Sequence, residues 1–120
     1  MHELSASALE WAQRLVRLDT VSRNSNLALI ECIADHLRAL GVPLRLTYDQ
    51  TRRKANLFAT LGQGKPDGVI LSGHTDTVPA GNTGWNTDPY QLENDGKRLT
   101  GLGACDMKSF FSLAFAAIEL

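Results

Sequence analysis

Two short strings hold most of the residue types able to do chemistry. The first, Ser72-Gly73-His74-Thr75-Asp76-Thr77-Val78-Pro79, follows directly on the apolar run Val69-Ile70-Leu71. In open α/β sheets ligands bind beyond the carboxyl ends of the strands, so His74 falls where such folds keep their sites. In an extended chain His74 and Asp76 point to the same side, ~6.6 Å apart at Cα. That spacing suits an imidazole that ligates a metal through one nitrogen while a carboxylate holds the other, fixing the tautomer and raising its basicity. Gly73 leaves room for a close neighbour. A buried histidine with a polar partner at a strand end carries the same signature, and for His-x-Asp alone it is the commoner case.

The second string is Gly101-Leu102-Gly103-Ala104-Cys105-Asp106-Met107-Lys108. Asp106 stands where a glycine turn passes into the last helix. A carboxylate is favoured near a helix N-terminus, and plain capping is the usual role of Asp there. With two oxygens it also suits a bridge between two divalent ions, which hydrolytic sites hold ~3.5–4 Å apart. The Gly-x-Gly-x-x-Asp order imitates a dinucleotide loop, but the third glycine and an acidic ribose hook are missing.

The remaining candidates are weaker. Cys105 offers a thiolate, yet no second histidine lies nearby in sequence to activate it, so a small buried residue is expected. Cys32 reads as core and His36 as surface beside a helix stripe; His2 is terminal. Arg52-Arg53-Lys54 reads as a solvated loop. Trp85 either lines a site or covers a sheet. Lys108 either pairs with the carboxylates or faces solvent.

These residues need elements to hold them. Ser7 and Glu10 have capping-box spacing for a helix from about Ser7 to Leu18, with Leu9, Ala12, Leu15 and Val16 on one face. A second helix is expected over Leu27 to Leu40, striped by Ile30, Ile33, Ala34, Leu37 and Leu40, and stopped by Gly41 and Pro43. Alternation in Leu44 to Tyr48 reads as a half-buried strand, followed by a polar connection, Thr51 to Lys54, and a second strand over Asn56 to Leu61. Gly62 to Gly68 is a turn-rich loop. Val69-Ile70-Leu71 is expected to be an interior strand covered on both faces. Pro79 to Pro89 is a loop. Asn94-Asp95-Gly96 signals a hairpin between Tyr90-Gln91-Leu92 and Arg98-Leu99-Thr100. Met107 to Leu120 is a helix apolar on most sides, which expects cover on more than one of them.

Helices and strands in this order give an α/β layered sheet. At 120 residues and 43% hydrophobic content the chain has room for one modest, soluble domain. A net charge of −1, from 12 Lys and Arg against 13 Asp and Glu, excludes the basic excess of a nucleic-acid or membrane-surface binder. No apolar run approaches the ~20 residues of a membrane helix, and Met1-His2-Glu3-Leu4 does not open a secretory signal. Two cysteines make no disulfide framework, so the cytoplasm is expected. The sequence stops at Leu120 straight after an apolar helix, as expected of the N-terminal piece of something longer.

Together the two strings, with Trp85 and Asp88-Pro89 between them, resemble the N-terminal part of the zinc-dependent amidohydrolases and exopeptidases. The resemblance is loose over the whole chain and tight from Val69 to Phe111. Gly101-Leu102-Gly103, Asp106-Met107-Lys108, Phe110 and Phe111 are most like that family's acetylornithine deacetylase group; other groups more often carry Arg where Leu102 stands. The resemblance implies an incomplete three-layer αβα mixed sheet of the zinc exopeptidase type, with residues 1–120 the N-terminal part of a catalytic metallohydrolase domain. It implies that His74 ligates one zinc, that Asp106 bridges two, and that Asp76 holds the His74 imidazole and tunes the metal. It also implies a cis peptide after Asp106. The implied cofactor is Zn2+, two per complete site, with Co2+ as an alternative.

The implied reaction is hydrolysis of an N-acyl amide by metal-activated water, releasing acetate and ornithine for arginine biosynthesis. Desuccinylase, aminoacylase and carboxypeptidase activities of the same family are the alternatives, and a non-catalytic interaction module that kept the fold is another. The implied partners are a small N-acyl amino acid substrate and a second copy in a homo-oligomer, with neither nucleic acid nor membrane. In the family the general base, from a Glu-Glu pair, and the remaining ligands lie farther along the chain than Leu120. With His74 and Asp106 alone, where a catalytic zinc takes three protein ligands and water, the 120 residues are expected to bind zinc weakly and to be inactive. Ser109 departs from the family's usual glycine and is expected to crowd the helix start slightly.

Overall fold

The computed structural model describes residues 5–62, 66–82 and 84–119. The elements are α1 (Ala6–Val16), α2 (Leu27–Ala39), β1 (Leu44–Tyr48), β2 (Ala55–Ala59), β3 (Glu93–Asn94), β4 (Leu99–Thr100), a wide π-type turn (Ala104–Lys108) and α3 (Ser109–Ile118). Among the described residues, three helices and two small antiparallel sheets make the mixed α/β class expected of an incomplete αβα domain. The chain forms two compact units, one running to Arg23 and resuming at Gly73, the other spanning Asn24–Ser72.

In the first unit, α1 starts earlier than its capping-box spacing suggests. The Ser5 hydroxyl, not that of Ser7, accepts from the Ala8 backbone N–H at 3.1 Å, satisfying a donor the first turn leaves open. Ser7 donates instead to Glu119 beyond the end of α3. The buried face carries Ala8 and Trp11 with Ala12, Leu15 and Val16, while Leu9 is only half-buried. This face packs on α3, where Trp11 meets Phe115 with ring centroids 4.8 Å apart. The Trp11 indole N–H reaches Glu119 Oε1 at 3.2 Å, so the ring is buried without losing its polar partner. Each such apolar side chain removed from water contributes about 1.5–3 kcal/mol. Helix α3 begins at Ser109, two residues later than expected, because Asp106 and Met107 have non-helical dihedrals. Leu120, its expected end, lies outside the described residues.

The β3–β4 hairpin is built on the expected Asn94-Asp95-Gly96 signal. The Asp95 carboxylate accepts from the backbone N–H groups of Lys97 and Arg98, both at 2.8 Å. Its first strand is Glu93–Asn94 rather than 90–92, because Asp88 turns the chain there: its side chain accepts from Tyr90 N and its carbonyl from Gln91 N.

In the second unit, α2 buries Ile30, Ile33, Ala34 and Leu37 as its stripe requires, with Leu29 added, while Leu40 lies past the helix end and is exposed. Cys32 and His36 are both half-buried rather than core and surface. Gly41 has φ +71°, the left-handed conformation that ends a helix. Strands β1 and β2 pair antiparallel with Leu46 opposite Leu57. Asn26 precedes α2 but does not cap it; its amide exchanges two hydrogen bonds of 2.9 Å with the backbone of Ala55 and extends the ladder by one side chain.

The run Val69-Ile70-Leu71 overturns the expectation of an interior strand. It pairs with no described strand, and its residues are 89%, 78% and 64% exposed. A buried strand exists only where neighbours accept its ladder and cover both faces, and no described element does so here. The preceding loop, expected over Gly62 to Gly68, lies outside the described residues at 63–65.

The β1–β2 connection supplies a pH-dependent contribution. Asp49 accepts from the Thr51 hydroxyl at 2.6 Å and from the N–H groups of Arg53 and Lys54 at 3.0 Å. These bonds, the Thr51 hydroxyl foremost, hold its carboxyl below the usual range. The folded state therefore binds this proton less readily than the unfolded chain. The stability it lends is complete above the unfolded pKa of about 3.9 and is lost as pH falls through the lower folded value. Chemical denaturation at pH 5 and pH 3 is expected to show a smaller loss for Asp49→Asn than for the parent chain; equal losses would contradict the assignment.

Candidate functional site

The candidate site lies wholly within the first unit and rests on the segment after α1. Thr20, Val21 and Ser22 run alongside residues 75–77. Thr77 N–H donates to Thr20 O and Ser22 N–H to Thr77 O, each at 3.0 Å, forming a parallel bridge between Val21 and Thr77. The Thr20 hydroxyl adds a 2.6 Å bond to Thr75 O. Residues 73–78 are thus held extended, the condition under which His74 and Asp76 share a side. The expected vacancy at Gly73 is filled: a Cβ there would stand 2.7 Å from Met107 Cε and 2.8 Å from Phe111 Cζ.

Asp106 arrives from the opposite direction on the wide turn. Lys108 N–H bonds to Gly103 O at 2.8 Å across five residues, a π-type closure of the kind found at functional sites. Gly103 takes φ +76°, and the peptide bond from Asp106 to Met107 is cis, as the resemblance implies. Ala104 and Lys108 take the inner positions of this turn, which leaves Cys105 exposed rather than buried as expected. Ser109 has ordinary helical dihedrals of −66° and −25°, so no glycine is needed there.

The two arms converge. His74 Nε2 lies 2.8 Å from Asp106 Oδ1, and His74 Nδ1 lies 3.1 Å from both Asp76 Oδ1 and the Asp76 carbonyl oxygen. Asp76 Oδ2 accepts from the Ser22 hydroxyl at 2.5 Å. A cavity of about 210 Å³ opens here, lined by Ser22, His74, Asp76, Leu102 and Asp106 among others. The Asp106 side chain is 84% exposed to it and to solvent. The hydrogen bond to Asp106 is the main cause that holds the His74 pKa above its ordinary value; burial opposes it, and the Asp76 backbone and the charges of Asp106 and Asp76 add to the rise. The Ser22 hydroxyl is the main cause that lowers the Asp76 carboxyl.

An imidazole nitrogen facing a carboxylate oxygen is a donor pair of the type zinc takes, so these residues fit a divalent ion. Among the described residues no group of three His, Cys, Asp or Glu side chains gathers as a metal cage.

Lys108 neither pairs with the site carboxylates nor faces solvent. It is 1% exposed, and its ammonium donates to Leu18 O at 2.7 Å. Burial lowers its pKa to about 8, with Asp19 opposing. Trp85 is half-buried and closes its own loop through a 2.8 Å bond to Ala80 O. Ser22 is the site residue that sequence reasoning missed. The available signal was the pair of hydroxyls at 20 and 22, which an extended segment sets on one side.

Among the described residues no helix is long and apolar enough to cross a membrane. Residues 70–120 match the model of peptidase family M20/M25/M40. The chain is 43% identical to an acetylornithine deacetylase of Proteus mirabilis over 102 residues, covering 84% of this chain and 26% of that protein. It is 41% identical to the Pasteurella multocida acetylornithine deacetylase over 115 residues, covering 94% and 30%, and 42% identical to that of Photorhabdus laumondii over 96 residues, covering 79% and 25%. The chain spans between a quarter and a third of the length of these relatives. With both strings inside the aligned region, the chain belongs to peptidase family M20/M25/M40, a family of hydrolases.

Proposed function

We propose that residues 1–120 form the N-terminal part of the catalytic domain of a two-zinc deacylase that converts N-acetyl-L-ornithine to ornithine and acetate, a step of arginine biosynthesis. The convergence of His74 and Asp106 at 2.8 Å carries this reading. His74 and Asp106 would hold the metal, Zn2+ or Co2+; when bound, the ion supplies Lewis-acid polarisation of a carbonyl and acidifies water. Asp76 holds the His74 ring through Nδ1, which presents Nε2 as the ligating nitrogen. The open wall beside Asp106 admits a small acyl amino acid. The cytoplasm is the proposed compartment, in keeping with Cys32 and Cys105 forming no disulfide. A homo-oligomer covering the exposed Leu113 of α3 is the proposed assembly.

A chimera tests the reading. This chain replaces the aligned quarter of the Proteus mirabilis relative, and the product is assayed on N-acetyl-L-ornithine and on N-succinyl-diaminopimelate. Acetate release is the expected result, while the 120-residue chain alone gives no turnover. A preference for the succinyl substrate would move the assignment to the desuccinylase group. A folded, zinc-loaded chimera without turnover on either substrate would sink the enzyme reading. That outcome would favour the interaction module instead, to which the exposed run Val69-Ile70-Leu71 already lends some weight.

A further inference from the structure

The contacts of Ser22 reach further than the bridge it closes. Its backbone N–H fixes Thr77 O, and its hydroxyl lies 2.5 Å from Asp76 Oδ2 and 3.2 Å from Thr77 O. Asp76 Oδ1 faces His74 Nδ1 at 3.1 Å, and His74 Nε2 faces Asp106 at 2.8 Å. One hydroxyl therefore stands at the head of a line of four side chains that ends where an ion would sit.

The geometry needs this hydroxyl. A neutral imidazole carries one N–H, and His74 lies between two carboxylates that compete for it. If Nδ1 carries the proton, Nε2 keeps its lone pair and can ligate; if Nε2 carries it, the proton goes to Asp106 and the lone pair points the wrong way. Two Asp76 oxygens lie 3.1 Å from Nδ1, the backbone carbonyl and Oδ1, but only the charged Oδ1 matches the Asp106 carboxylate as an acceptor, and it does so only while the side chain stays against Nδ1. Being half-exposed, the Asp76 side chain is free to take other rotamers unless its second oxygen is held. The Ser22 hydroxyl holds it.

We infer that Ser22 is a positioning residue for the candidate metal site: by anchoring Asp76 Oδ2 it keeps the His74 proton on Nδ1 and Nε2 open to a divalent cation. The inference rests on the reading of His74 as a ligand, and it assigns to the segment after α1 a part in metal affinity that neither motif string reveals.

The test uses the 120-residue chain with Ser22→Ala and with Ser22→Thr, which keeps a hydroxyl. Ring 15N NMR of the metal-free chain at one alkaline pH reads the tautomer. The parent and Ser22→Thr are expected to hold Nδ1–H, and Ser22→Ala to gain Nε2–H. Calorimetric titration with Zn2+ alone is expected to show about tenfold weaker binding for Ser22→Ala, the low end of the 10–100-fold cost of losing an outer partner of a ligand. Ser22→Thr should lie within about twofold of the parent on that same scale. In an Asp76→Asn background Ser22→Ala should add nothing further. Unchanged ring signals in Ser22→Ala, or an additive loss with Asp76→Asn, overturns the inference. A parent chain that takes up no zinc through His74 defeats the ligand reading, and the metal-free spectra still decide the part played by Ser22.

Discussion

Replacing Gly103 by alanine is expected to cost about 3 kcal/mol in unfolding free energy. Two effects add. At φ +76° an L side chain occupies the left-handed region, at about 1–2 kcal/mol. The new Cβ would also stand 2.6 Å from Thr77 Cγ2, with Lys108 Cδ at 3.4 Å, and forced overpacking adds about 1–3 kcal/mol. Thr77 cannot yield cheaply: it is buried, β-branched, and fixed at its N–H and carbonyl by Thr20 and Ser22.

Gly73 makes the contrast, because its crowding atoms are the far ends of Met107 and Phe111, which swing aside at lower cost. Denaturant midpoints of Gly103→Ala and Gly73→Ala should therefore differ, with the first lower. Thr77→Ser removes Cγ2 and should recover part of the Gly103→Ala loss but not the φ part. If Gly103→Ala matched Gly73→Ala, or gained nothing from Thr77→Ser, close packing of the turn against residue 77 would not be what holds Asp106 in place.

The same turn shows what a linear sequence can and cannot carry. The α2 stripe and the strand Leu44–Tyr48 were legible because helical and alternating periods are local. His74 and Asp76 were legible as a pair because two residues of extended chain fix their relation. The meeting of His74 with Asp106 was not, since 32 residues and a turn with non-helical dihedrals intervene; only the family resemblance joined them. Lys108 reads either as a partner of the site carboxylates or as a solvent-facing charge, because nothing near it in sequence announces the Leu18 carbonyl, 90 residues away, that receives its ammonium. Ser5 and Ser7 both offer a cap, and nothing local announces that Ser7 donates instead to Glu119, 112 residues away. Val69 to Leu71 fails for the converse reason: an apolar run announces a need for cover, and composition cannot say whether cover is there.

Removing His74 is expected to weaken zinc binding by more than about a hundredfold, past the range of losses for outer partners. The two donors face each other, and among the described residues no third acidic, histidine or cysteine side chain joins them as a metal ligand, Asp76 being turned to the other ring nitrogen. The parent chain should itself bind zinc weakly, because a catalytic zinc takes three protein ligands. His74→Ala leaves a single exposed carboxylate, which holds a zinc ion no better than any surface aspartate; Asp106→Ala leaves a lone imidazole, with the same result. Asp76→Asn keeps both donors and disturbs only the orientation of the ring, so its loss should fall at about 10–100-fold. The order His74→Ala and Asp106→Ala below Asp76→Asn, below the parent, is the signature of two ligands and one orienting partner. The double variant lacking both donors should be no worse than either single one, because residues acting on one ion are not additive. Competition against a chromophoric chelator measures all five proteins. Parent-like binding by His74→Ala and Asp106→Ala together would mean that the ion sits elsewhere, and the 2.8 Å approach of imidazole to carboxylate would then be a hydrogen bond with no metal in its purpose.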